Sequence, residues 1–415
     1  MRRPSKNLAP KLSSDSQRLV SFAQAIVLAS SRLEERAWER DMDALLHKLL
    51  KNDHQNTIDA ALDFLFKAES GAYDALMESV ESASESTVIE HDGAPHDALL
   101  IALPILAWTR FTIPSGAIAA DQLMTLSAHL YAHVLAPDTR LAIAPNLFSI
   151  DQLPRNHAET FAITQRMGQA ALAATSLRPT TNPPETAPFL ADTRYLLAVV
   201  TAAQGAPLFR WQASQNPADR DEALIQWRAQ ATPTIARLLP GCGVELLLPE
   251  AYFVACREGD RQIRPTSIRA AVHYLTHTLG VAPAELQANI GSFSEESLSD
   301  RVDEYRIGFT LGSNPEVVYG IVWPLYGQED DEELRGGTVP DTTPPGTAAV
   351  DGKTPLEEIL ALLRECGVTE IKYHRERFAM EFCEDCGAPY YPDRDAELVH
   401  AEMPEDAAAA PEHFH

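Results

Sequence analysis

The chain has 415 residues, 45% hydrophobic and 22% charged, a globular composition on a length too great for one ordinary core. With 34 basic against 59 acidic residues the net charge is −25, which repels nucleic acid and anionic membrane and excludes both as main partners. Five cysteines, an odd number, do not suggest a disulfide scaffold, residues 1–20 hold no apolar signal core, and the most apolar segments, such as Leu99–Trp108, are too short to span a bilayer, so the expected setting is a soluble, cytoplasmic protein with reduced thiols.

Residues 1–14 read as a flexible basic tail. Arg2, Arg3, Lys6, Lys11 and Arg18 cluster at this end, but the segment is short and lacks the interleaved aromatics of a nucleic-acid-binding arm. From 15 to 85 the apolar residues recur at helical spacing: Leu19, Phe22, Ala23 and Ile26, then Leu45, Leu46, Leu49 and Leu50, then Ile58, Ala61, Leu62 and Leu65. This predicts a helical domain. The polar, acidic stretch Glu81–Pro95 reads as a linker.

The texture then changes to alternating strands and helices. Ala98–Leu103 is a continuous apolar run, as expected of a strand buried on both faces. A helix at 118–135, a strand at Leu141–Phe148 and a helix at 156–174 follow, and Thr175–Pro188 reads as a connection. The order then recurs, with a strand at Arg194–Val200, a helix at Ala218–Leu239, a strand at Val244–Phe253 and a helix at Thr266–Leu279 closed by Gly280. Both second strands are broken by proline and a polar residue, Pro145-Asn146 and Pro249-Glu250. We read an internal duplication of a βαβα unit, spanning 97–190 and 191–326, although any α/β protein alternates in this way. Leu286–Phe293, Asp303–Thr310 and Glu316–Pro324 add antiparallel strands, the last two joined through Gly312-Ser313-Asn314-Pro315. The predicted class is α/β, or α+β overall.

Residues 327–353, with the run Glu329-Asp330-Asp331-Glu332-Glu333, read as an acidic disordered linker. A C-terminal α/β module at 354–415 follows. Thr354-Pro355-Leu356-Glu357 has the residues of a capping box with proline at the first helical position, and Gly367 ends the helix. Two strands, Thr369–His374 and Arg377–Phe382, then lead into Phe382-Cys383-Glu384-Asp385-Cys386-Gly387-Ala388-Pro389.

A C-x-x-C followed by glycine has the shape of a zinc knuckle, with two thiolates on a tight turn. A tetrahedral site wants four N or S ligands. Cys383 and Cys386 supply two, and His400 lies at a distance typical of a further ligand. Cys366, His374, His413 and His415 are candidates for the fourth. A metal-free structural turn and a redox pair are the alternatives. The redox reading suits the position least, because Gly-Ala-Pro is a poor helix start.

Other constellations carry less. His129 with His133, and His273 with His277, are i, i+4 pairs without the glutamate of H-E-x-x-H, and read as edges of amphipathic helices. Glu90-His91-Asp92 and His96-Asp97 read as solvated charge clusters. Phosphate-loop, dinucleotide and nucleophile-elbow signatures are absent. By the rule that ligands bind beyond strand carboxyl ends, Asn146, Ser149, Glu250 and Tyr252 are the positions to watch.

The run from Phe382 through Pro389, continuing Leu398-Val399-His400-Ala401-Glu402-Met403-Pro404-Glu405, together with Ser30-Ser31-Arg32-Leu33-Glu34-Glu35-Arg36, resembles the DUF2863 family of β-proteobacterial proteins, over most of the chain. That resemblance implies a bacterial cytoplasmic protein and no catalytic residues. The leading expectation is a non-catalytic or regulatory protein with a structural zinc-knuckle-like site, acting through protein contacts or self-association. The rival is an enzyme that binds a small metabolite between the two α/β units, near Asn146, Glu250 or Tyr252.

Overall fold

The computed structural model describes residues 12–180, 184, 186, 189–295, 302–312, 316–326 and 354–404. Most of the basic tail, the whole acidic linker, the tip Ser313-Asn314-Pro315, His413 and His415 lie outside the described residues.

Four helices open the chain: α1 (Ser14–Leu28), α2 (Arg32–Lys51), α3 (Gln55–Ala68) and α4 (Ser70–Glu85). The Ser13 and Ser31 hydroxyls cap the first two by accepting the N–H groups of Ser16 and Glu34. Leu19, Ala23, Met42, Leu46, Leu49, Ile58, Ala61, Leu65, Leu76 and Val80 meet in one core, which also takes in Phe161. Burying each large aliphatic side chain contributes about 1.5–3 kcal/mol, so this stripe, rather than helix propensity, holds the layer.

The expected linker at Glu81–Pro95 is instead the end of α4 and a hairpin. Strand β1 (Ser86–His91) pairs antiparallel with β2 (Ala94–Trp108) across Asp92-Gly93, whose φ values of 50° and 76° are those of a tight Asp-Gly hairpin turn. Its polar residues belong to an edge strand and not to an unstructured connection.

The long strand β2 is the spine of the first sheet. The other members are β3 (Gly116–Ala117), β4 (Arg140–Phe148), β5 (Ala191–Ala203), β6 (Gly243–Leu246) and β7 (Glu250–Ala251), and every pairing is antiparallel. β5 lies against β2, β4 against β5, and β6 and β7 against the other side of β2. Each proposed repeat therefore places its first strand beside that of the other, and its second strand outside the other's first, a split β-α-β arrangement used twice. The helices follow the same symmetry. α5 (Ala120–His133) and α8 (Asp219–Leu238, preceded by the short α7, Arg210–Ala213) pack on one face through Leu126, Leu130, Trp227 and Ile235. α6 (His157–Ala173) and α9 (Tyr252–Leu279) cover the other through Met167, Tyr252 and Ala255. With both faces covered, β2 and β5 need no polar alternation. Proline cannot donate to a ladder. Accordingly the β4 register slips between Ile143 and Leu147, around Pro145, and β6 stops three residues before Pro249.

Two boundaries differ from expectation. The run Val244–Phe253 is not one strand: it breaks between β6 and β7, and Tyr252 already begins α9. α9 runs for 28 residues through Pro265, so it starts well before Thr266 and ends, as expected, at Gly280 (φ 66°). Its first half lies on the first sheet, and Ile268, Ala271, Val272 and Leu275 of its second half enter a different core. Gly259 permits the close approach to the first sheet, since a Cβ there would sit 2.9 Å from the Tyr195 hydroxyl.

That second core lies under a four-stranded sheet of order β10-β9-β8-β11, made of β8 (Leu286–Ser294), β9 (Glu304–Leu311), β10 (Tyr319–Pro324) and β11 (Glu370–Ala379). α10 (Pro355–Glu365) packs beside α9 with both bonds of the Thr354–Glu357 capping box formed. The C-terminal segment is thus no free-standing module, because β11 completes this sheet parallel to β8. It is also one strand with a register irregularity between Tyr373 and Arg377, where two strands were expected.

The outer face of this sheet receives the last hairpin of the described residues, β12 (Tyr391–Pro392) with β13 (Leu398–Val399). Paired glycines make the room. A Cβ on Gly320 would overlap the Tyr391 ring, and one on Gly308 would lie 2.6 Å from the Pro392 carbonyl oxygen. Gly308→Ala must displace backbone, and we expect it to cost about 1–3 kcal/mol in urea unfolding and to expose residues 380–404 to proteolysis.

α4 and α9 are joined end to end. The Glu85 carboxylate accepts the Phe253 N–H (3.0 Å) at the start of α9, and Glu81 pairs with Arg257 (2.6 Å). Burial pushes the Glu85 carboxyl up from 4.5 to about 7. The native state therefore holds a proton that the unfolded chain has released across that window. The Glu85 contribution to stability is present below pH 4.5 and is lost as pH rises towards 7. Glu85→Gln should gain stability relative to the parent as pH rises from 5 to 8; urea midpoints whose difference stays constant over that range would contradict this.

Candidate metal centre

The knuckle sits at the tip of a narrow hairpin. Phe382 and Pro389 form an antiparallel bridge, the Cys383 N–H donates to the Ala388 carbonyl (2.7 Å), and the Gly387 N–H donates to the Cys383 carbonyl (2.8 Å). Gly387 takes φ 75°, a conformation that costs glycine little and other residues more. The backbone N–H groups of Cys386 and Asp385 converge on the Cys383 sulfur and hold its thiol below the ordinary value, with a hydrogen bond to the Cys386 side chain adding to this. The same negative sulfur raises the neighbouring Tyr390 phenol.

His400 arrives from the other hairpin, immediately after β13. Its Nε2 lies 3.2 Å from the Cys386 Sγ, and one donor atom each from Cys383, Cys386 and His400 falls within 4.8 Å of the others. The His400 Nδ1 is buried without a hydrogen-bond partner and lies 3.7 Å from the Glu402 carboxylate. This pattern, one imidazole nitrogen among thiols and the other facing a carboxylate, suits a metal ligand held by an outer acid.

The remaining candidates for a fourth ligand are placed elsewhere. His374 is buried on β11, where its Nε2–H donates to the Asp393 carbonyl (2.8 Å) and its ring meets Phe378 edge-on. Cys366 caps the end of α10 and packs against the second core. Neither belongs to the Cys383–Cys386–His400 group. Burial raises the Cys242, Cys256 and Cys366 thiols.

What positions the knuckle is a residue with no sequence signature. Arg306 on β9 is fully buried. Its Nε–H donates to the Glu304 carboxylate (2.6 Å), and its Nη1 donates to the carbonyls of Glu381 and Tyr390 (both 2.8 Å), one on each arm of the knuckle hairpin. Its guanidinium lies 4.3 and 4.9 Å from the ring centroids of Phe293 and Phe382.

The strand-end positions serve the fold. Asn146 is buried and its Oδ1 accepts the Thr180 N–H (2.9 Å). Ser149 is buried and caps a short 3-10 turn. Glu250 is raised by burial and opposed by its ion pair with Arg220. Tyr252 is buried beside Cys256. A cavity of about 960 Å³ lies between the end of β2 and α9, and its lining does not include Asn146, Glu250 or Tyr252. The His129–His133 and His91–His96 rings lie 6.4 and 6.1 Å apart, and neither pair belongs to a metal-holding group among the described residues.

A family model described as "Protein of unknown function (DUF2863)" matches residues 4–414, and the chain belongs to that family. No curated protein and no solved structure matches it. Among the described residues no helix is long and apolar enough to cross a membrane.

The contrast among thiols is testable. In chelator-treated native protein, limiting iodoacetamide should label Cys383 and Cys386 well before Cys242, Cys256 and Cys366. Peptide mass spectrometry showing equal labelling would contradict the site's electrostatics.

Proposed function

We propose that this protein binds a zinc ion through Cys383, Cys386 and His400, and that the ion is structural. The observation that carries this reading is the convergence of the three donors from two different hairpins. Zinc–sulfur and zinc–nitrogen bonds of about 2.3 and 2.0 Å set ligand separations of about 3.3–3.8 Å in a tetrahedron, and mixed thiolate–imidazole donors suit zinc. The Cys386–His400 separation of 3.2 Å lies close to that range. His413 and His415 of the C-terminal tail are left for the fourth position, since Cys366 and His374 are engaged elsewhere.

The role follows from position. The ion joins the knuckle hairpin to the β12–β13 hairpin, and both lie on the outer face of the second sheet. It therefore closes the C-terminal structure over that sheet. The chain then acts as a non-catalytic or regulatory cytoplasmic protein through protein contacts, for which the acidic Glu384 and Asp385 at the knuckle tip are the supporting surface feature.

Native protein purified without chelator should carry about one zinc per chain by elemental analysis. Cys383→Ser and His400→Ala should lose it, and a strong chelator should lower the parent's melting temperature by several degrees while leaving Cys383→Ser unmoved. Absence of zinc in native protein, with Cys383→Ser as stable as the parent, would sink the reading.

A further inference from the structure

The cavity beside α9 inverts the charge of the molecule. The chain carries 59 acidic and 34 basic residues, yet the cavity is lined by Arg110, Arg269, His273 and His277, with Glu245 as its single carboxylate among the described residues. Glu245 is engaged by Arg228 at 3.0 Å. Arg269 reaches Glu365 only at 3.5 Å, with both side chains half exposed or more, an ion pair that solvent leaves weak.

Its walls are aromatic and held in place. The Trp108 indole lies against the backbone of Gly243, its partner in the β2–β6 register: a Cβ built there would overlap three indole atoms, so the ring rests where only glycine fits. The following turn is tied down by the Thr109 N–H donating to the Leu190 carbonyl (2.9 Å) and its hydroxyl donating to the Gly241 carbonyl (3.0 Å). Beyond it Phe111 is 53% exposed, with the Arg110 guanidinium 5.0 Å from its ring centroid. On α9 the His273 and His277 rings stand 4.3 Å apart. At about 960 Å³, between the end of β2 and α9, the cavity has the size of a small-molecule site.

We propose that this cavity binds a small organic anion with an aromatic ring, the ring against Trp108 and Phe111 and a phosphate or carboxylate held by Arg110 and Arg269 with the two histidines. Planar guanidinium forks match both oxyanions, and aromatic faces supply the apolar area. The site is independent of the metal centre, and it is also distinct from the strand ends at Asn146 and Glu250.

Isothermal titration of the full-length protein tests it with two pairs of probes: AMP against adenosine, and 2-naphthoate against 2-naphthamide. At least one anion should bind with Kd below about 1 mM, and its uncharged counterpart should bind at least about tenfold more weakly. A response to AMP alone marks a phosphate site, and a response to naphthoate alone a carboxylate site. The exposed substitution Arg269→Gln should weaken binding several-fold, and adding Arg110→Ala at least about tenfold, with melting temperature as the check on folding. Cys383→Ser should bind as the parent does, which separates this proposal from the metal reading. Failure of both anions to titrate, equal binding of charged and uncharged probes, or undiminished binding by folded arginine variants would overturn it.

Discussion

A single buried guanidinium connects the sheet of one part of this protein to the chemistry of another. Arg306 is sealed from solvent, yet it holds the Glu304 carboxylate and the two carbonyls that flank the knuckle hairpin. Removing one partner of a buried charge pair costs about 3–5 kcal/mol, because the other is left uncompensated. Replacing the guanidinium also orphans two buried carbonyls. One of its nitrogens, Nη2, has no hydrogen-bond partner, so even the native arrangement carries some of that cost. The two Phe rings around it lower the cost by offering their faces to the cation. Cys383 and Cys386 stand on a hairpin whose base is clamped in this way.

Around that clamp the second sheet is built to be covered. Gly308 and Gly320 are paired across β9 and β10, and their missing side chains form the slot into which Tyr391 and Pro392 fit. Arg306 and these glycines lie on the same face, since Gly308 follows Arg306 at the two-residue strand period. The knuckle, the β12–β13 hairpin and His400 are therefore positioned by the sheet and not by the short segment that carries them. α9 extends the same dependence to the rest of the chain: one end starts at the Glu85 carboxylate and rests on the first sheet, and the other end packs into the second core. The cavity with Trp108 and Arg269 opens where this helix passes between the two.

Much of this was legible from local pattern. The apolar stripes of α1 to α4, the continuous runs of β2 and β5, the capping box at Thr354 and the end of α9 at Gly280 all reflect rules acting within a few residues. The errors were of two kinds. Asp92-Gly93 was a hairpin signal hidden in a charged stretch, and the helix expected from Thr266 begins at Tyr252 and runs through Pro265. The other kind could not have been avoided locally. Nothing near Arg306 marks it as buried, and nothing near His374 shows that its imidazole goes to Asp393 and not to the cysteines.

The sequence by itself determined the α+β class, most of the helices, and a Cys383, Cys386 and His400 group that could hold a metal, because periodicity, capping and C-x-x-C-G turn chemistry are all encoded at short range. Only the tertiary structure decided how β2, β4, β5, β6 and β7 interleave into one antiparallel sheet, that β11 joins β8, and that a basic aromatic cavity forms in an acidic chain. Those outcomes depend on residues as far apart as Trp108 and Gly243, or Arg306 and Glu381. Such pairs meet only because the packing of both sheets against α9 brings them together, and spacing along the chain does not report it.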